Sequence, residues 1–271
     1  MIGSVISKNF EQKDRYGFED LVTIVRLLRG ENGCPWDKEQ THQSIRQNFI
    51  EETYEAVEAI DTADSELLKE ELGDVLLQVV FHAVMEEEDG RFDIGDVADG
   101  ICKKLIIRHP HVFSDVVADN TAQVLKNWDN IKMQTKSQKT QTDAMKSVSK
   151  ALPSLMRSQK LQQKAAKVGF DWQSVDGALE KLDEEIAELK TAIRNNDVQN
   201  QSEELGDVLF SAVNVSRFLK IDPEKALYDS CDKFTDRFEK VEKAAAEQGI
   251  DMKNTDLNTL DSLWNRAKEI N

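Results

Sequence analysis

Leu21, Ile24, Val25 and Leu28 recur at three- and four-residue spacing, and Leu72, Val75, Leu76, Val79 and Val80 repeat that rhythm further along. Residues so spaced share one face of an α-helix, so both stretches predict helices carrying an apolar stripe. No alternating apolar and polar run of any length offers a strand. Asp93 before Ile94, and Asp222-Pro223 before Glu224, suit helix starts: a carboxylate there accepts from free first-turn amides, and proline is tolerated at the first helical position. The pattern therefore predicts an all-α fold.

The polar positions show a duplication. Glu-Glu-Leu-Gly-Asp-Val-Leu occurs at 70–76 and again at 203–209, each time downstream of a Glu-Glu-x-x-Glu cluster, at Glu51, Glu52 and Glu55 and at Glu184, Glu185 and Glu188. From Glu52 to Glu71, and from Glu185 to Glu204, the step is 19 residues. With gaps, Cys102, Lys104 and Arg108 fall in register with Cys231, Lys233 and Arg237. Trp128 with Asn130-Ile131-Lys132 resembles Trp264 with Arg266-Ala267-Lys268, and Trp36-Asp37 has a loose counterpart in Asp171-Trp172. The expected organisation is a tail at 1–17, one helical unit at 18–131, a polar stretch at 132–150 that is a linker or a helix extension, and a second unit at 151–271.

Helix geometry turns the repeat into a site. Residues three apart lie on one face, so Glu52 and Glu55 point together, as do Glu71 and Asp74. Pairing Glu52 with Asp74 and Glu55 with Glu71 in an antiparallel hairpin gives one common midpoint, residue 63, inside Asp61-Thr62-Ala63-Asp64-Ser65. Pairing Glu185 with Asp207 and Glu188 with Glu204 gives residue 196, inside Asn195-Asn196-Asp197. Both midpoints fall on turn-forming sequence. Each unit should thus gather four carboxylates. Two charges about 5 Å apart at an effective dielectric near 20 repel by roughly 3 kcal/mol, so such a quartet calls for a hard divalent cation with oxygen ligands, Mg²⁺ first and Mn²⁺ as a substitute. Gly73 and Gly206 sit mid-helix inside this motif, as packing glycines or to admit a close neighbour.

Composition narrows the function. The formal charge of −16 argues against sequence-independent binding to a nucleic-acid backbone, which draws on Lys and Arg, so no direct nucleic-acid partner is expected. Three widely spaced cysteines, Cys34, Cys102 and Cys231, fit reduced thiols in a cytoplasmic protein. No apolar stretch approaches the ~20 residues of a membrane span, and the N-terminus lacks a signal-type apolar core.

The two acidic clusters, together with Gly33-Cys34-Pro35-Trp36-Asp37 and Arg108-His109-Pro110-His111-Val112-Phe113, resemble the MazG family of nucleoside triphosphate pyrophosphohydrolases in its tandem-domain form. The resemblance covers the chain from about Phe18 onward. It implies two tandem helical-bundle domains, usually in a homodimer, that hydrolyse ribo- and deoxynucleoside triphosphates to the monophosphate and pyrophosphate with Mg²⁺. It also implies metal ligands at Glu185, Glu188, Glu204 and Asp207, and substrate contacts at Lys181, Glu184, Glu203, Asp207, Lys233, Arg237 and Trp264. In the first unit Glu52, Glu55, Glu71 and Asp74 match the same metal motif. Glu184 is a candidate to orient or deprotonate the attacking water, or to steady a ligand from outside.

The copies differ where a nucleotide would lie. Lys181 aligns with Asn48, and Asn214 aligns with Phe81, so the second unit keeps more polar groups and is expected to be the main catalyst. Two rivals remain: a non-catalytic helical nucleotide sensor or scaffold, and a di-iron protein. The latter needs paired Glu-x-x-His motifs, and Glu39-Gln40-Thr41-His42 is a single match.

Overall fold

A computed structural model describes residues 10–114 and 140–269 and, between them, Val116, Asn120, Gln123, Val124, Trp128 and Ile131. Residues 1–9 of the expected tail, 132–139 of the expected linker, and the aligned Asn130 and Lys132 lie outside the described residues. Among the described residues every regular element is a helix. The chain forms two compact units, Met1–Ile131 and Lys132–Asn271.

In the first unit, α1 (Phe18–Arg29), α2 (Pro35–Glu39), α3 (Arg46–Asp61), α4 (Ser65–Glu88), α5 (Ile94–Arg108) and the short α6 (Pro110–Phe113) follow in order. Helices α3 and α4 form the expected antiparallel hairpin, and α1 packs across α4. The turn falls at 62–64, where Ala63 adopts a positive φ of 55°. Asp64 then caps α4, accepting from the amides of Glu66 and Leu67. Likewise Asp93 caps α5, accepting from the Asp96 amide.

The core joins Val22 and Val25 of α1 and Ile45 to Val80, Phe81, Val84 and Met85 of α4. Each such side chain contributes about 1.5–3 kcal/mol by leaving water. Two details of the apolar rhythm come out differently. Val22, outside the expected stripe, is among the deepest residues of α1, at 1 % exposed. Leu72 and Leu76, inside their stripe, are 53 % and 40 % exposed, because α4 turns Glu71 and not its leucines toward α3.

The second unit contains α7 (Gln141–Lys146), α8 (Ser154–Ala166), α9 (Val175–Arg194), α10 (Val198–Phe218), α11 (Pro223–Glu247), a 3₁₀ turn at Met252–Asn254 and α12 (Leu257–Glu269). Helices α9 and α10 form the second hairpin, turning at Asn196 with φ 53°. Asp222 caps α11, with Pro223 at its first position. Helix α8 packs on α10, and α7 on α8, with Gln141 Nε2 donating to the Lys164 carbonyl at 2.5 Å. Residues 141–146 of the polar stretch are therefore a helix of this unit. Helices α11 and α12 close on Val241, Ala245, Leu263 and Ala267.

Candidate metal and nucleotide site

The α3–α4 hairpin brings carboxylate oxygens of Glu52, Glu55 and Glu71 within 4.8 Å of one another, and the α9–α10 hairpin does the same for Glu185, Glu188 and Glu204. Glu71 and Glu185 are buried, at 8 % and 6 % exposed. A buried carboxylate among others is costly unless neutralised, so these residues are held for charge and not for packing. The fourth expected member stands apart. Asp74 repels Glu52 and Glu71 electrostatically without entering the three-residue group, and Asp207, exposed one turn beyond Glu204, lies outside its own group.

Proton affinities register the crowding. Burial, then the charges of Asp74, Glu55 and Glu71, hold the Glu52 carboxyl above the usual carboxylate range. Burial followed by Glu55 and Asp74 does the same to Glu71. In the second unit burial, then Glu204 and Glu185, raise Glu188, with Lys181 opposing. Lys181 Nζ lies 2.8 Å from both Glu184 and Glu185, one helical turn away on α9. Those bonds raise its own pKa, so it stays a cation. Its counterpart Asn48 brings no charge to the first cluster.

The other expected substrate residues are spread wider. Glu184 and Glu203 are exposed beside the cluster on α9 and α10. Lys233, exposed, and Arg237, half-buried, lie one turn apart on α11. Trp264 is half-buried among the α11 and α12 side chains, its ring centroid 5.1 Å from Phe234. Asn214 Oδ1 accepts from Arg217 Nε at 3.0 Å, and both residues line a cavity of about 680 Å³ between α7, α8 and α10. The other lining residues, Gln162 and Trp172 among them, went unremarked as site residues; an isolated amide in a helix reads as solvated surface, and only packing reveals Gln162 as buried.

Among the described residues no histidine joins either glutamate cluster. His42 Nδ1 meets His82 Nδ1 at 2.7 Å, with ring planes 5° apart and centroids 5.0 Å apart. That is a head-on, in-plane contact in which one ring donates and the other accepts. His42 Nε2 also lies 2.7 Å from Glu86, at ion-pair distance though off hydrogen-bond alignment. His109 caps α5, its Nδ1 2.7 Å from the Leu105 carbonyl. Neither arrangement is a Glu-x-x-His metal pair.

Comparison with known proteins agrees with this geometry. The chain matches the MazG nucleotide pyrophosphohydrolase domain twice, over residues 40–113 and 173–242. The nucleoside triphosphate pyrophosphohydrolase/pyrophosphatase MazG of Thermotoga maritima is 44 % identical over 251 residues, spanning 93 % of this chain and 95 % of the relative. The nucleoside triphosphate pyrophosphohydrolase of Escherichia coli K12 is 45 % identical over 251 residues, 92 % of this chain and 95 % of its own. Bacillus subtilis YabN, an uncharacterised protein, is 49 % identical over 253 residues, spanning 93 % of this chain and 52 % of YabN. With two copies of the domain, and relatives aligned over nearly their full length, the chain belongs to the MazG nucleotide pyrophosphohydrolase family.

Proposed function

We propose that this chain hydrolyses nucleoside triphosphates, ribo and deoxy alike, to the monophosphate and pyrophosphate, with Mg²⁺ or Mn²⁺ held in the second unit by Glu185, Glu188, Glu204 and Asp207. The observation that carries the reading is the closure of two three-glutamate clusters at equivalent hairpin positions, in a chain whose full-length relatives bear that activity in their names. The donors fit the ion: all are carboxylate oxygens, and raised proton affinity at Glu188 marks charge in excess of what the protein neutralises. The chemistry such an ion supplies is neutralisation of the triphosphate and a lowered pKa for a bound water.

The chain's own residues do the rest. Lys181 already bonds the cluster, so incoming positive charge at Glu185 releases its ammonium toward a phosphate oxygen. Glu184, exposed beside Glu185, is placed to take the proton of the attacking water. Lys233 and Arg237 contribute further phosphate contacts. The first unit keeps the glutamates but has Asn48 and Phe81 in place of Lys181 and Asn214, which supports a metal-binding unit of little or no turnover. Free Cys34, Cys102 and Cys231 suit a reducing compartment such as the cytoplasm. Among the described residues no helix is long and apolar enough to cross a membrane.

The test is pyrophosphate release from a nucleoside triphosphate with Mg²⁺. Glu188→Ala should abolish it, by 10³-fold or more on the order of other lost catalytic groups, while Glu55→Ala retains most of it. Full activity in Glu188→Ala would remove the site from the second hairpin.

A further inference from the structure

The first unit carries a polar cluster that the glutamate site does not use. His82 and Glu86 lie one turn apart on α4, and His42 reaches them from the turn at 42–45 that precedes α3. His42 Nδ1 faces His82 Nδ1 at 2.7 Å, while Nε2 of the same ring lies 2.7 Å from Glu86. With Arg46 and Phe49 of α3 these residues line a cavity of about 530 Å³. The second unit has Val175, Val215 and Leu219 at the aligned positions, so the cluster belongs to the first unit alone.

Two facing ring nitrogens bond only if one bears a hydrogen and the other a lone pair. Two neutral rings meet that condition with opposite tautomers. One added proton preserves it, because a charged His42 donates Nδ1–H to His82 and turns Nε2–H toward Glu86. A second proton puts a hydrogen on each Nδ1, and two cations then face each other across 2.7 Å. The surroundings give little relief. Glu86 is already bonded by Nε and Nη2 of Arg91, which also pairs with Asp89. Arg46 adds another positive charge from α3, and α5 turns the apolar Val97 toward the cavity. Burial, followed by His42, lowers the proton affinity of His82 below the ordinary imidazole value, with Glu86 opposing.

The contact sits between two fixed points. On the N-terminal side, Arg29 Nη1 donates to the carbonyls of Asp37 and Gln40 at 2.6 and 3.1 Å, and a guanidinium keeps its charge at any ordinary pH. On the other side Ile45 enters the core, and α3 begins there without a side-chain cap. Phe49, one turn into α3, leans on the His82 ring at 5.6 Å between centroids, and Glu52 follows a turn later. The His42 side chain is 40 % exposed, so it has room to turn into solvent once its bond to His82 is lost.

We propose that His42 and His82 form a proton-operated latch on the first unit, closed near neutrality and opened by the second proton, which frees the 41–45 turn and the first turns of α3 from α4. Glu52 and Glu55 lie on the same helix, so opening loosens the first glutamate cluster while the α9–α10 hairpin keeps its shape. The inference does not depend on the hydrolase reading.

Amide hydrogen exchange at pH 7.5 and pH 5, corrected for intrinsic rates, tests it. In the parent protein, protection of residues 41–49 should fall about tenfold on acidification, equivalent to one lost hydrogen bond, and that of the aligned residues 174–182 should hold. His82→Phe keeps a ring against Phe49 but neither accepts nor titrates, so in that variant the segment should be equally weak at both pH values. The comparison isolates the histidines, because the glutamates titrate alike in both proteins. Constant protection in the parent, or the parent's fall repeated in His82→Phe, would overturn the latch. Should the variant fail to fold, imidazole nitrogen spectra of the parent decide. Near neutrality His42 and His82 should show one protonated and one bare Nδ1, and His82 should titrate below 6.5 together with a shift of the Phe49 ring signals. Two bare Nδ1 atoms, or a His82 midpoint at or above 6.5, would refute it.

Discussion

Gly206 stands between Glu204 and Asp207, and a Cβ there would meet nothing within 4 Å outside its own helical turns; the same holds for Gly73. Of the two readings the sequence leaves for these glycines, close approach by a neighbouring helix is thereby excluded among the described residues. A helical glycine costs about 1 kcal/mol against alanine, so Gly206→Ala should raise the thermal midpoint of the metal-free protein. If pyrophosphate release falls in that stabilised variant, the space serves the substrate. Gly33 is the opposite case. A Cβ there would lie 2.1 Å from the Leu28 carbonyl oxygen and 2.4 Å from that of Leu27. Both are backbone, so Gly33→Ala should cost about 1–3 kcal/mol, as overpacking does, and melting would show it.

At the scale of elements, the hairpins were legible because antiparallel pairing has one arithmetic. The expected midpoints, 63 and 196, are the positions where the two hairpins turn through positive φ. Spacing did not reveal reach, and aspartate is one methylene shorter than glutamate, which accounts for Asp74 and Asp207 falling outside the three-residue groups. Nor does periodicity say what covers an apolar face. Leu72 and Leu76 have their counterparts in Leu205 and Leu209, 50 % and 52 % exposed, so both hairpins present the same apolar pair. Such a repeated face suits burial against a second copy, and a homodimer is the proposed state. Leu209→Asp should lower the sedimenting mass to that of a monomer; an unaltered mass would place the contact elsewhere.

For the molecule as a whole, the acidic clusters and the charge of −16 make stability depend on protons, and under the proposed function on divalent cations as well. Glu52, Glu71 and Glu188 hold protons more tightly in the folded state than at their ordinary value of 4.5. Their contribution to stability is therefore full below pH 4.5 and is lost as pH rises through the raised values. His82 runs the other way. Burial, then His42, depress its pKa below 6.5, so its contribution is present above that pH and is lost on acidification through the lowered value. Near neutrality the metal-free protein thus carries unrelieved carboxylate repulsion. A cation that binds only the folded state stabilises by RT ln(1 + [L]/Kd), about 2.7 kcal/mol at a hundredfold excess over Kd. At low pH the same cation must displace the protons on the raised glutamates and gains less. The rise in melting temperature on replacing EDTA with Mg²⁺ should accordingly be larger at pH 8 than at pH 5. Glu52→Gln combined with Glu188→Gln should shrink the pH 8 rise. An equal rise at both pH values would mean that these carboxylates are not where the metal binds.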